Sequence, residues 1–249
     1  MATTIASRPP RADPLRGLTW QRPEWPWVLG VAAAWLALAW PETRPGAHAM
    51  PGMSMSSATR ADLSVSELGW WMLMAVAMMV PAALPLLREI SFQSIWRRRY
   101  RSPALFLAGF LASWATFGAA ALGIWHVVTH AAPSTPAAVV TGAMLIVAAA
   151  WGLTPTKRRC LKQCHRYLPL PPRGRTADAA CLRFGLYNGG QCIVVCWPLM
   201  LTTMTSHTLV PMVGVTAFVT WERLARLPRL QAGAFALGVA GALVVFVAA

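Results

Sequence analysis

Residues 189–200 read GGQCIVVCWPLM, an apolar stretch that contains two cysteines and no charged residue. Cys192 and Cys196 are four residues apart, so on an α-helix both thiols lie on one face, a single turn from each other. Soft sulfur ligands at this spacing in an apolar segment are typical of a buried metal or redox site. Ordinary packing is the competing interpretation, because free cysteine also behaves as a small, well-buried apolar residue.

Apolar residues make up 56% of the chain and charged residues 12%. The apolar residues form long uncharged runs, and a run of about 20 such residues crosses a bilayer as a helix. A helix satisfies the hydrogen bonding of every backbone group within lipid. We predict an all-α membrane protein with a bundle of seven transmembrane helices. A basic cytoplasmic segment, residues 1–24, precedes one multi-pass domain, residues 25–249. The predicted spans are residues 25–40, 67–87, 103–125, 136–153, 182–204, 207–221 and 230–249.

The formal net charge of +14 comes from basic residues whose positions depend on the order of the predicted spans. Basic residues gather before the first span and in alternate loops, at residues 88–101, 157–175 and 223–229. Such alternation marks the cytoplasmic side of a membrane protein. The pattern predicts a bacterial inner-membrane protein with a cytoplasmic N-terminus and a periplasmic C-terminus. Its basic loops are expected to contact the surface of the lipid bilayer, and no nucleic-acid partner is expected.

The N-terminal region has a second interpretation. A basic region, an apolar run at residues 27–40 and the sequence Ala47-His48-Ala49 also fit a signal peptide that ends in a cleavage site. Cleavage there would make Met50 the first residue, outside the membrane. We adopt the retained first span and keep cleavage as the alternative.

Most of the histidines and a methionine-rich loop fall on the predicted outer side. Thioethers are suited to Cu(I), and imidazole is suited to both copper oxidation states. A flexible external loop rich in methionine can therefore collect copper where thiols would be oxidised. The alternative for such a loop is a polar linker with incidental methionines. The candidate outer ligands are His48, Met50, Met53, Met55, His126, His130 and His207.

The second span carries further thioethers. Met74 and Met78 are four residues apart on one helical face, and Met79 projects from a different one. Methionine in a membrane helix is usually packing, but seven of the chain's 12 methionines fall between positions 50 and 79. Trp70 and Trp71, near the outer end of this span, fit an interfacial aromatic belt.

The fifth span contains a row of small residues. Cys181, Gly185 and Gly189 recur every four residues and form a face that lets a neighbouring helix approach closely. Both thiols of Cys192 and Cys196 are therefore expected to face protein, at a depth comparable with the methionines of the second span. A metal site shared by the two spans requires that they be neighbours, which the sequence leaves open.

A third group of candidate ligands lies in a cytoplasmic loop. Cys160 and Cys164 are one helical turn apart and His165 follows directly, so these side chains are candidate ligands of a thiophilic metal ion. A basic helix at the membrane surface with two incidental cysteines is the alternative. Glu222, at the inner end of the sixth span, is expected to pair with Arg223 or with a basic loop.

Three motifs and one acidic residue, taken together, resemble a bacterial family of predicted metal-binding integral membrane proteins of unknown function. The motifs are WMLMAVAMMVP at 71–81, KRRCLKQC at 157–164 and GLYNGGQCIVVCWPLM at 185–200, and the acidic residue is Glu222. The resemblance covers residues 68–224 and implies that the protein handles a metal. This chain has Val195 where the family often has another cysteine, and His165 where arginine is common, so no metal preference carries over.

These features predict a membrane protein that binds copper as Cu(I) and transports or delivers it, with a metallochaperone or a membrane complex as its partner. An accessory or assembly subunit of a membrane metalloenzyme is the alternative, supported by the glycine-rich fifth and seventh spans. A thiol oxidoreductase is a weaker alternative, because the sequence contains no partner dithiol on the outer side of the membrane. The chain has no Walker loop, HExxH or nucleophile elbow, so enzymatic activity is not favoured.

Overall fold

The computed structural model describes residues 23–40, 60–131, 137–163, 171, 174–205, 209–224 and 230–248. Within these ranges the protein consists of α-helices, one short 3₁₀ turn and no strand, which confirms the all-α prediction. The helices are α1 (Trp25–Ala39), α2 (Arg60–Gln93), α3 (Arg101–Ala131), α4 (Ala137–Gly152), α5 (Pro155–Gln163), α6 (Gly174–Thr205), α7 (Leu209–Leu224) and α8 (Leu230–Ala248).

A helix occurs at each of the seven predicted spans, and α5 is an additional helix within a predicted basic loop. In the described part of the chain, three helical segments are long and apolar enough to cross a membrane: Val65–Gln93, Arg101–Val128 and Gly174–Met204. Helices α4 and α5 add a fourth if they are taken as one span bent by 74°. Helix α1 is apolar but shorter.

Helix α6 lies at the centre and packs against α3, α4, α5 and α7. Its contact with α3 depends on glycine, because a side chain at Gly185 would collide with the carbonyl oxygen of Phe106. One turn further on, a Cβ at Gly189 would lie 2.9 Å from the carbonyl oxygen of Phe110. The close approach predicted from the row of small residues is therefore confirmed.

Helix α2 packs against α3 through Trp71. This side chain is 2% exposed, and its indole N–H donates to the carbonyl oxygen of Trp114 at 3.0 Å. It fills the space beside Gly118, where a Cβ would collide with its ring. The interfacial position expected for Trp71 is wrong, because its polar N–H finds a partner inside the protein and the ring can be buried whole.

Candidate metal centre

Three sulfur atoms from α2 and α6 meet in the interior. Sγ of Cys192 lies 3.9 Å from Sγ of Cys196 and 3.9 Å from Sδ of Met79, and Sγ of Cys196 lies 3.6 Å from that Sδ. All three side chains are 0% exposed. We refer to Met79, Cys192 and Cys196 as the sulfur triangle. The point equidistant from its corners is about 2.2 Å from each sulfur, close to the ~2.3 Å of a metal–thiolate bond.

The two cysteines are held by the geometry of α6. Sγ of Cys196 lies 2.8 Å from the carbonyl oxygen of Cys192, to which the thiol donates across one turn. Pro198 lacks the N–H that would bind the carbonyl oxygen of Val194, and the indole N–H of Trp151 on α4 donates to it at 2.7 Å. The break in the helical hydrogen bonding is thus repaired from a neighbouring helix, and α6 continues past the thiols.

Met79 is the methionine of α2 that contacts the thiols. Met78 and Met74 are also buried, but they project about 100° and 140° away from Met79 around the helix. The sequence left open whether the second and fifth spans are neighbours. The structure brings their side chains into contact at the sulfur triangle, on the same face of α6 as its glycine contact with α3 and about one turn further along the helix.

An arginine lies beside the sulfur triangle. Nη1 of Arg223, on α7, is 3.6 Å from Sγ of Cys192, and its Nη2 donates to Oδ1 of Asn188 at 3.2 Å. Arg223 is 6% exposed and Asn188 is 3% exposed. A buried cation at this distance would offset the negative charge of a metal-bound thiolate, the form in which cysteine binds metals.

A buried ion pair lies next to this arginine in the sequence. Nζ of Lys157 on α5 is 2.9 Å from Oε1 of Glu222 on α7, and each side chain is 2% exposed. Of the two partners expected for Glu222, the structure therefore selects a residue of the basic loop. The pair ties α5 to α7, and Lys157 is close enough to Cys196 to act on it electrostatically.

Trp114 supplies a further polar group. Its side chain is fully buried, and its indole N–H lies next to the thiol of Cys192. A donor in this position is suited to an anionic sulfur, because a buried N–H without an acceptor is costly. Neither Trp114 nor Arg223 was identified from the sequence. An arginine one residue after Glu222, at the end of an apolar run, was the available signal.

The other predicted ligands do not join the sulfur triangle in the described part of the chain. Nε2 of His126 is 2.8 Å from Oε2 of Glu67, so this imidazole binds a carboxylate at the ends of α2 and α3. Cys160 is half-buried on α5. The side chain of His130 is not among those described. The remaining candidates lie outside the described residues: His48, Met50, Met53, Met55, Cys164, His165 and His207.

In the described ranges, His, Cys, Asp and Glu form no group of three that is suited to a metal ion. The sulfur triangle differs because its third member is a thioether. Two thiolates and a thioether form a soft, low-coordinate donor set of the kind that selects Cu(I). Four-coordinate Zn²⁺ sites are built from a larger set of nitrogen and sulfur ligands.

The comparisons with known proteins agree with this chemistry. A family model described as copper chaperone, PpoB2, matches residues 68–247. The match begins where the resemblance seen in the sequence begins and supports its metal-binding character and the prediction of copper. No curated protein and no solved structure matches the chain significantly. The matched residues contain the whole sulfur triangle, Arg223 and the Lys157–Glu222 pair, and the chain belongs to the PpoB2 family of copper chaperones.

Proposed function

We propose that the protein is a multi-pass membrane protein that binds one Cu(I) ion at the sulfur triangle and delivers it to another protein or site. The observation that carries this proposal is the mutual distance of 3.6 to 3.9 Å among three buried sulfurs. Such an arrangement surrounds a soft ion without requiring the helices to move. Copper is the cargo here, and ligand exchange between low-coordinate sulfur sites releases it without a nucleotide.

The membrane part of the proposal is supported by three long apolar helices and by the alternating charge of the loops. In this topology the methionine-rich loop is periplasmic and α5 lies at the inner surface. Helix α5 carries Cys160 and is tied to α7 by Lys157 and Glu222. Cys160, with Cys164 and His165, would then provide an exchange site on the cytoplasmic side, and the outer loop a capture site.

The topology predicts that positions 55 and 97 lie on opposite sides of the membrane. Cysteines introduced singly at these positions, in a chain whose Cys160 and Cys164 are replaced by Ser, should react with an impermeant maleimide from opposite sides. The parent chain without the new cysteine is the control. Labelling of both positions from the same side would overturn the topology and the assignment of outer and inner ligands.

Substitutions at two neighbouring methionines, Met79 and Met78, test the copper site. Met79→Leu should weaken Cu(I) binding by about tenfold or more, because it removes one sulfur ligand and retains apolar bulk. Met78→Leu is the matched control, since Met78 is equally buried but projects from another face. Competition titration of the purified proteins with a Cu(I) chelator measures both. Equal affinity of the two variants would contradict the assigned ligand set, and a wild-type protein that binds no Cu(I) would refute the function.

The alternative role as an assembly subunit receives no support from the glycine-rich faces. The face of α6 at Gly185 and Gly189 is covered by α3, and Gly241 on α8 faces α4, where a Cβ would lie 2.8 Å from the carbonyl oxygen of Gly142. Both faces are therefore filled by helices of the same chain. A partner protein would need a different surface.

A further inference from the structure

The charge of Arg223 bears on which ions the sulfur triangle accepts. Its guanidinium is buried between α6 and α7 and contacts Cys192 with one nitrogen and Asn188 with another. Asn188 and Cys192 are four residues apart on the same face of α6. The amide oxygen of Asn188 therefore orients the guanidinium, so that its second nitrogen faces the thiol.

The other charged groups near the site offset each other. Lys157 and Glu222 form a buried pair at 2.9 Å, which carries no net charge. Once a metal ion has displaced both thiol protons, the two thiolates carry two negative charges, and Arg223 reduces the total to one. A bound monovalent cation then brings the total to zero, whereas a divalent cation leaves one uncompensated positive charge in the protein interior.

An uncompensated charge in a low-dielectric interior is costly, and groups in such places are normally paired. The penalty applies to Zn²⁺ and not to Cu(I) or Ag(I), although all three ions bind thiolates. Coordination number alone gives a weaker distinction, because an incoming fourth ligand can complete a zinc site. The position of Arg223 supplies a distinction based on the charge of the ion itself.

We infer that Arg223, oriented by Asn188, is the residue that restricts the sulfur triangle to monovalent soft cations. This inference rests on the proposed function, since it assigns the selectivity of the same site. Arg223 binds no metal and acts as a positioning residue, through the charge that it places beside Cys192. Removing that charge leaves a doubly negative site, which a divalent ion neutralises.

The test compares Ag(I), Cu(I) and Zn(II) affinities of the purified full-length protein with those of Arg223→Met. We expect the ratio of Cu(I) to Zn(II) affinity to fall by about tenfold or more in this variant. Arg223→Lys retains the charge and should keep a ratio close to that of the wild type. Arg158→Met, at an exposed position on α5, controls for the change in net charge. Size-exclusion chromatography and circular dichroism report the folded state of each variant.

Asn188→Asp provides a second test with almost no change in shape. The new carboxylate pairs with Arg223 and cancels its charge, so the affinity ratio should shift toward Zn(II) as in Arg223→Met. If Arg223→Met does not fold, this variant decides the question. An unchanged ratio in a folded variant that still binds Cu(I) overturns the role of Arg223 and leaves the copper site intact. A wild-type protein that binds neither Cu(I) nor Ag(I) overturns the proposed function instead.

Discussion

Replacing Cys192 and Cys196 together with Ser should remove one bound Cu(I) per chain from a protein that still folds. Both thiolates and the charge that they contribute are lost, and hydroxyl groups are poor ligands for a soft ion. We expect affinity to fall by more than about 100-fold, since changes outside the first coordination sphere alone cost 10- to 100-fold. Metal analysis of the protein after Cu(I) loading and removal of excess ion measures the effect.

The packing cost of this double substitution should be small. Serine is similar in size to cysteine and bonds back to the carbonyl oxygens of its own helix, so we expect a loss of about 1 kcal/mol. Replacing both cysteines with Ala controls for lost polarity. Cys181→Ser, at another buried cysteine of α6, controls for a general effect of losing a thiol and should leave the copper content unchanged. Full copper content in the double Ser variant would show that the sulfur triangle is only a packing contact.

Breaking the Lys157–Glu222 pair should strongly destabilise the protein. Glu222→Gln leaves the ammonium of Lys157 buried without a counter-charge, and Lys157→Met leaves the carboxylate in the same position. Each single substitution should lower the free energy of unfolding by about 3 to 5 kcal/mol, the usual consequence of leaving a buried charge unpaired. Unfolding in detergent micelles, followed by circular dichroism at increasing denaturant, measures this loss.

The double variant Lys157→Met with Glu222→Leu removes both charges and should recover most of the stability lost in either single variant. Apolar residues of similar volume can replace a buried ion pair with little net cost. Lys162→Met is the matched control, because Lys162 is an exposed lysine of the same helix. Single variants as stable as the wild type would show that the pair is solvated and does not hold α5 to α7.

Local properties of the chain were predictable because they depend on a few consecutive residues. Long, predominantly apolar runs are expected to form membrane-spanning helices, and each of the seven predicted spans coincides with a helix. Residues four apart share a helical face, so the common orientation of Cys192 and Cys196 follows from their spacing. The close approach of α3 to Gly185 likewise follows from the absence of a side chain there.

Relations between helices were not predictable in this way. The sequence offered three candidate ligands among the four methionines of the second span, and only the rotation of α2 against α6 decides that Met79 faces the thiols. The burial of Trp71 depends in the same way on the gap beside Gly118 on α3. These helices carry apolar residues on all of their faces, so hydropathy does not indicate which face of a helix contacts which neighbouring helix.

The charged residues near the sulfur triangle show this difference most clearly. By itself, the sequence determined that Arg223 and Lys157 stand at the ends of apolar runs, where basic residues indicate topology. Tertiary structure alone decided that Lys157 meets Glu222 and that Arg223 contacts Cys192. The physical reason is that a long flexible side chain at a helix end can reach water or turn into the protein. Which of these occurs depends on whether a neighbouring helix supplies a buried partner of opposite charge.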